Sequence, residues 1–406
     1  MTNRLSNIAL GLLACAASLP SFANAPGKTT PVIVVFQEAT PFHQFKGNAH
    51  PDERAIAHAA AWDYLDRGVM GAAQRLENLH RFKSKHVFSH AVKGFAADLS
   101  TEQIEALKAE PTVAYIEADL PVTADVQSLP WGVDRVEADV SSTLAGNGSG
   151  SVAGVNVYVV DSGIATHQDL NLVKHVNFAG GSNTDCNGHG THVAGTIGAA
   201  DNAVDVVGVA PGVRLIGVKV LDCNGSGTTS TVIKGIDWVT ANAVKPAVAN
   251  MSLGGGVSQT LDDALRRSVG AQVTIALAAG NSGVDACNSS PARAGYNANG
   301  LDNGIITTAA TDTYGKEASF SNYGQCVNIW APGVNIVSTR AGGGTATMSG
   351  TSMASPHVAG AAALYLSRNP SATPAQVESA LRSFSMTPGT ASKDGRAIQV
   401  LQVNAF

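Results

Sequence analysis

Apolar residues in the second part of the chain gather into short runs separated by mixed stretches. "GVNVYVVD" (154–161), "VRLIGVKVL" (213–221), "AVANMSL" (247–253), "VTIALAAGN" (273–281) and "NGIITTAA" (303–310) read as buried strands. Between them "THVAGTIGAA" (191–200), "TSTVIKGIDWVTANA" (229–243) and "LDDALRRSVG" (261–270) read as helices. Strand alternating with helix predicts a parallel sheet covered on both faces.

The pattern before residue 122 differs. "PVIVVF" (31–36) is a strand, and 52–79 is helical in composition with a break expected near Gly68. "HVFSHAVKGFAADL" (86–99) reads as a strand pair or a bent strand. Ser100 stands three residues before Gln103, a capping-box spacing that opens a helix ended by Pro111. "TVAYIEAD" (112–119) is the last strand of this small α+β unit. Residues 120–131 carry two prolines and no periodicity and read as a linker. Residues 144–154 form a Gly/Ser loop, and no internal repeat is evident.

Composition fits this division. The chain has 406 residues, 44% hydrophobic and 14% charged, enough for a large core in two or three units. A net charge of -5 without a basic patch argues against nucleic acid as a partner. Arg4, the apolar run 8–19 and "ANA" (23–25) form a signal-peptide pattern, so residues 1–25 are expected to be removed on export. The apolar run is too short to span a membrane. "LLAC" offers a competing lipoprotein reading with Cys15 lipidated; secretion is preferred because a good A-x-A site follows. Without Cys15 four cysteines remain, Cys186, Cys223, Cys287 and Cys326. An even number in an exported chain favours disulfides, with three pairings open. No C-x-x-C spacing supports a metal site.

Three polar residues stand at or just beyond strand ends: Asp161, Asn281 and, before a helix, Ser352. In open parallel sheets functional groups gather there. Each alone is explained as a local cap, and serine is a good helix cap. "CNGHGTHVAGT" (186–196) supplies two histidines. Their H-x-x-H spacing lacks the glutamate of a zinc helix, and His189 in its glycine-flanked turn is the freer imidazole.

"VVDSGI", "GHGTHVAGT", "AAGN" and "SGTSMASPHVAG" occur in that order. With them the chain resembles the subtilases, the subtilisin-like serine proteases, densely over about residues 130–370. "DCNGHGTHVAGT", "LDCNGSG" and "AVANMSLGGGVS" make it similar to the aqualysin-like members of the proteinase K branch. The order Asp161, His189, Ser352 is that of subtilisin and not that of the α/β-hydrolases.

The resemblance implies an α/β, subtilisin-like three-layer domain with a mainly parallel central sheet (124–406). Before it comes an α+β ferredoxin-like propeptide (26–123) that assists folding and inhibits in cis. The linker is expected to be cut between Val122 and Gln127. Ser352 is the implied nucleophile, His189 its base and Asp161 the orienting acid. Asn281 and the Ser352 N–H are the implied oxyanion donors. Pro356 is expected to be tolerated as part of the first helical turn. Ser252, Leu253 and Gly254, and Gly225, Ser226 and Gly227, are implied edges that hold the substrate as an added strand. Ala278, Ala279 and Gly280 would line a primary pocket without an acid, suited to apolar or aromatic side chains; Thr229 would leave the outer pocket more open. The implied disulfides are Cys186–Cys223 and Cys287–Cys326. The chemistry needs no cofactor. Structural calcium is compatible with the family, but Asn328 replaces a calcium-binding aspartate of the proteinase K branch. Residues 295–304, longer than the pattern, bring Asn297, Asp302 and Asn303 nearby and either rebuild an oxygen-rich calcium site or form only a loop, so the metal ligands stay unknown. The expected partners are polypeptide substrates and the chain's own propeptide, with no nucleic acid, no membrane unless Cys15 is lipidated, and a monomeric state.

Overall fold

The computed structural model describes residues 29–37, 51–120, 127–296, 298 and 302–406, with side chains in the first long helix described from Asp66. The leader, Cys15, Asn297 and the 121–126 part of the linker lie outside the described residues. The chain divides into two compact units, Met1–Thr123 and Ala124–Phe406.

The first unit runs β1 (Thr30–Phe36), α1 (Pro51–His80), β2 (Ser84–Phe88), β3 (Gly94–Leu99), α2 (Thr101–Lys108) and β4 (Val113–Ala118). The strands form one antiparallel sheet in the order β2-β3-β1-β4, the ferredoxin-like arrangement. The α1 helix continues through Gly68, against the expected break. An interior glycine costs only about 1 kcal/mol relative to alanine. Burial of Val69, Ala73 and Leu76 in one core with Val34 and Phe95 outweighs that. The capping box closes as its spacing predicts: Gln103 N donates to Ser100 Oγ (3.3 Å) and Ser100 N to Gln103 Oε1 (2.9 Å).

The second unit opens with α3 (Trp131–Arg135), β5 (Asn156–Asp161), β6 (Leu172–Asn177), α4 (His189–Gly198), β7 (Arg214–Lys219), α5 (Thr229–Asn242) and β8 (Ala247–Met251). It continues with α6 (Gln259–Gly270), β9 (Val273–Ala278), β10 (Ile305–Thr311), β11 (Ile329–Pro332), the hairpin β12 (Ile336–Thr339) and β13 (Thr345–Met348), α7 (Thr351–Arg368) and α8 (Pro374–Ser383). Seven strands make a parallel sheet in the order β11-β10-β9-β8-β5-β7-β6.

Strand pleating sends alternate side chains to opposite faces. Val157 and Val159 join a core with Val193 and Ile197 of α4 and Val358 and Ala362 of α7. Tyr158 and Val160 join the other, with Val232 and Ile236 of α5 and Leu265 of α6. Both faces are therefore covered, which gives three layers and explains why the strands read as continuous apolar runs.

Candidate active site

The β5 strand pairs with β7 on one side and β8 on the other; the chain crosses from β5 to the edge strand β6, returns through β7, and then runs outward from β8 to β11. That switch point opens a crevice at the carboxyl ends of the strands. Asp161 ends β5 and is fully buried. Its Oδ1 accepts from Ser162 N (2.7 Å) and from His189 Nδ1 (2.8 Å), while Oδ2 has no partner among the described residues. A carboxylate can only accept, so His189 Nδ1 carries the proton and Nε2 of the neutral ring is an acceptor. His189 is the first residue of α4. A Cβ at Gly190 would lie 2.0 Å from Gly163 O and 3.2 Å from Asp161 Cβ, so glycine is what lets the helix reach the acid. Burial disfavours the imidazolium, but the Asp161 charge and hydrogen bond, with the Asp185 charge, raise the His189 pKa above its ordinary value.

Ser352 is not a helix cap. The cap position is Gly350, and Ser352 is the second residue of α7. Its Oγ donates to Ser252 O (3.2 Å), not to His189, so the hydroxyl must turn to meet the imidazole. Pro356 lies beyond the first turn, as the sixth helical residue. Its missing N–H leaves the Ser352 carbonyl without an intrahelical donor. Ser252 Oγ supplies one at 2.8 Å and is itself held by Asn250 Nδ2 (3.0 Å). Asn250 Oδ1 accepts from Ser355 Oγ (2.8 Å), so the end of β8 grips the first turns of α7.

Asn281 follows β9. Its Oδ1 accepts from Thr351 N (2.8 Å) and Thr351 Oγ1 (2.9 Å), which leaves Nδ2 to donate elsewhere. A point at the Cβ direction of Gly350 is 3.5 Å from Asn281 Nδ2 and 3.6 Å from Ser352 N. Asn281 Nδ2 and Ser352 N therefore both lie close to Gly350, at the start of α7.

A cleft of about 470 Å³ is lined by His189, Asn187, the Gly225–Gly227 segment and the Ser252–Gly254 segment. Ala278, Ala279 and Gly280 are not among its walls. Ala279 packs into a core with Ala309 and Trp330, so its methyl is unavailable to a pocket. Gly280 sits at φ +106°, where a Cβ would strike Asn322 Nδ2 at 2.3 Å. Thr229, also on the cleft wall, starts α5. His192 is buried, with Nε2 toward Ile336 O and Ala346 O, and burial lowers its pKa to about 4; it shares no ligand position with His189. Cys186 is bonded to Cys223 and Cys287 to Cys326.

Sequence reading missed an oxygen cage. Gln127 Nε2 lies 2.6 Å from Ala200 O, 3.4 Å from Asn202 Oδ1, 3.4 Å from Val204 O and 3.1 Å from Val206 O. An amide nitrogen has two hydrogens and cannot satisfy four acceptors. With the amide turned over, five oxygens converge, and the buried Asp169 carboxylate contacts the same loop through Asn202 Nδ2 and Val206 N. Hard oxygen donors with one carboxylate suit calcium. Elsewhere Asn328 Nδ2 donates to Gly295 O (3.2 Å) and Glu378 Oε1 (2.9 Å), so its amide is held by protein acceptors. Asp302 pairs with Arg382, and Asn303 caps β10 through its Oδ1 to Ile305 N.

The subtilase family model matches residues 152–396. The chain belongs to the subtilase family. The peptidase inhibitor I9 model matches residues 31–125. The chain is 45% identical over 350 residues to the extracellular serine proteinase of Thermus sp. (strain Rt41A), covering 81% of this chain and 80% of that one. It is 41% identical over 294 residues to proteinase R of Parengyodontium album, covering 70% and 73%. The solved structure of a cold-adapted subtilisin-like serine proteinase matches with a TM-score of 0.59 at 41% identity, covering 69% of this chain and 99% of that one. This subtilase is a serine endopeptidase with an I9-type propeptide. No helix among its described residues is long and apolar enough to cross a membrane.

Proposed function

We propose that the protein is a secreted, self-processing endopeptidase that cleaves peptide bonds through an acyl-enzyme on Ser352. The observation that carries this reading is the His189–Asp161 hydrogen bond, with His189 and Ser252 lining one cleft and Ser252 hydrogen-bonded to Ser352. His189 Nε2 takes the Ser352 proton as Oγ attacks the carbonyl carbon. It returns that proton to the leaving amine, and a water molecule repeats the sequence to release the acid. Asp161 holds the imidazole tautomer and stabilises the imidazolium. Asn281 Nδ2 and Ser352 N bind the oxyanion. The segments Ser252–Gly254 and Gly225–Gly227 take the substrate between them as a strand. The primary pocket beside Ala278 and the Gly280 backbone has no acidic side chain in this reading, which favours apolar or aromatic residues over Lys or Arg.

Residues 1–25 act as the signal peptide and 26–123 as the propeptide, cut by the enzyme's own site. N-terminal sequencing of the exported product tests this. The active form should begin between residues 123 and 128, and added 26–123 should inhibit it. An active product that begins near residue 26 contradicts the zymogen reading.

Gln127, Asp169 and Asn202, with the 200, 204 and 206 carbonyls, would hold a structural calcium ion that takes no part in the chemistry. Chelation should lower the Tm by several degrees in the wild type and far less in Asp169→Asn. Equal losses in both proteins would remove the assignment.

A further inference from the structure

A second carboxylate lies behind the His189–Asp161 pair. Asp185 is buried and has five donors. Ser162 Oγ (2.9 Å), Asn187 N (3.0 Å) and Gly188 N (2.8 Å) reach Oδ1. Thr191 N (2.9 Å) and Thr191 Oγ1 (2.6 Å) reach Oδ2. Gly188 and Thr191 bracket His189 at the start of α4, where backbone N–H groups favour an anion. Ser162 is the residue after Asp161. Its Oγ donates to Asp185 and accepts from Gly190 N (3.0 Å), while its N–H donates to Asp161. One hydroxyl therefore joins the turn that carries the acid to the turn that carries the base.

We propose that Asp185 is a positioning residue for hydrolysis: it fastens the first turn of α4 to the Asp161 turn and adds a second negative charge favouring the His189 imidazolium. The inference rests on the triad reading above. The charges around His189 are Asp161 from β5, Asp185 from the preceding loop and His192 on its own helix, which burial keeps neutral. Lys219, buried at the end of β7, opposes them and is tied to Ser162 O (2.7 Å) and Leu221 O (2.9 Å). Burial works to raise the Asp185 pKa, but its bonds to Thr191, Gly188 and Ser162 hold the carboxyl below the usual range, so it stays ionised wherever His189 titrates.

A carboxylate nearby raises the pKa of the base, so its loss lowers the acid limb of the kcat/KM profile. In Asp185→Asn the limb should move down by roughly half a unit to one unit, and kcat should fall about tenfold with KM little changed. Ser162→Ala keeps the charge but cuts the bridge. It should lower kcat while leaving the limb in place, and it decides the positioning role if Asp185→Asn does not mature. A limb unmoved and kcat within twofold in Asp185→Asn, or kcat unchanged in Ser162→Ala, overturns the inference. A wild-type enzyme with no acid limb would instead count against the triad reading.

Discussion

Ser352→Ala is expected to fold, to remain uncut between Val122 and Gln127, and to lose about 10⁶ in kcat once matured in trans. That magnitude is the one found for the same loss in subtilisin, another member of the family. The fold should survive because, among the described residues, the Ser352 side chain makes only one hydrogen bond, to Ser252 O, and Gly350 holds the cap position. The contacts that pin α7 to β8 run through the Ser352 carbonyl, Asn250 and Ser355, which the substitution leaves in place. Mass measurement of the exported product reads the processing. Turnover of a chromogenic peptide, after cleavage by tagged wild-type enzyme and its removal, reads the chemistry. A stability loss of the size of a lost helix cap with processing intact would return Ser352 to a structural role.

Asn281→Leu is expected to lower kcat by about 10²–10³ with little change in KM, again the size found in subtilisin. The donor serves the oxyanion, which exists only after attack, so ground-state binding is spared. Leucine also strands Thr351 N and Oγ1, both now bonded to Asn281 Oδ1, so the Tm should fall as well. Asn281→Asp separates the two effects. It keeps the acceptor for Thr351 and replaces the donor with a negative charge, so the catalytic loss should persist while more of the stability is retained. Unchanged kcat in both variants would remove Asn281 from the mechanism.

What the sequence made legible was local. Asp161, His189, Asn281 and Ser352 stand in short motifs at strand and helix ends, where a few neighbouring residues define the environment. Apolar runs marked the central strands because those are covered on both faces, whereas β6 at the sheet edge carries Lys174, His175 and Asn177 and lacked that signal. Contacts across long separations were not readable. The Ser252–Ser352 link spans 100 residues, and the Gln127 cage closes over 73 to 79. Pro356 reads as a first-turn residue in the sequence, but the helix begins at Thr351, and only the position of Ser252 explains how the proline is accommodated. Asp185 stands beside a cysteine in a stretch whose histidines draw the eye, and its role depends on where the Ser162 hydroxyl points.

The central claim is that His189 makes Ser352 nucleophilic. The most direct test is labelling with a serine-directed phosphonyl fluoride followed by tryptic mapping. The mature wild type should carry one label, on the 341–368 peptide at Ser352, and His189→Ala should react far more slowly. Labelling elsewhere, none in the mature enzyme, or an equal rate in His189→Ala would contradict it.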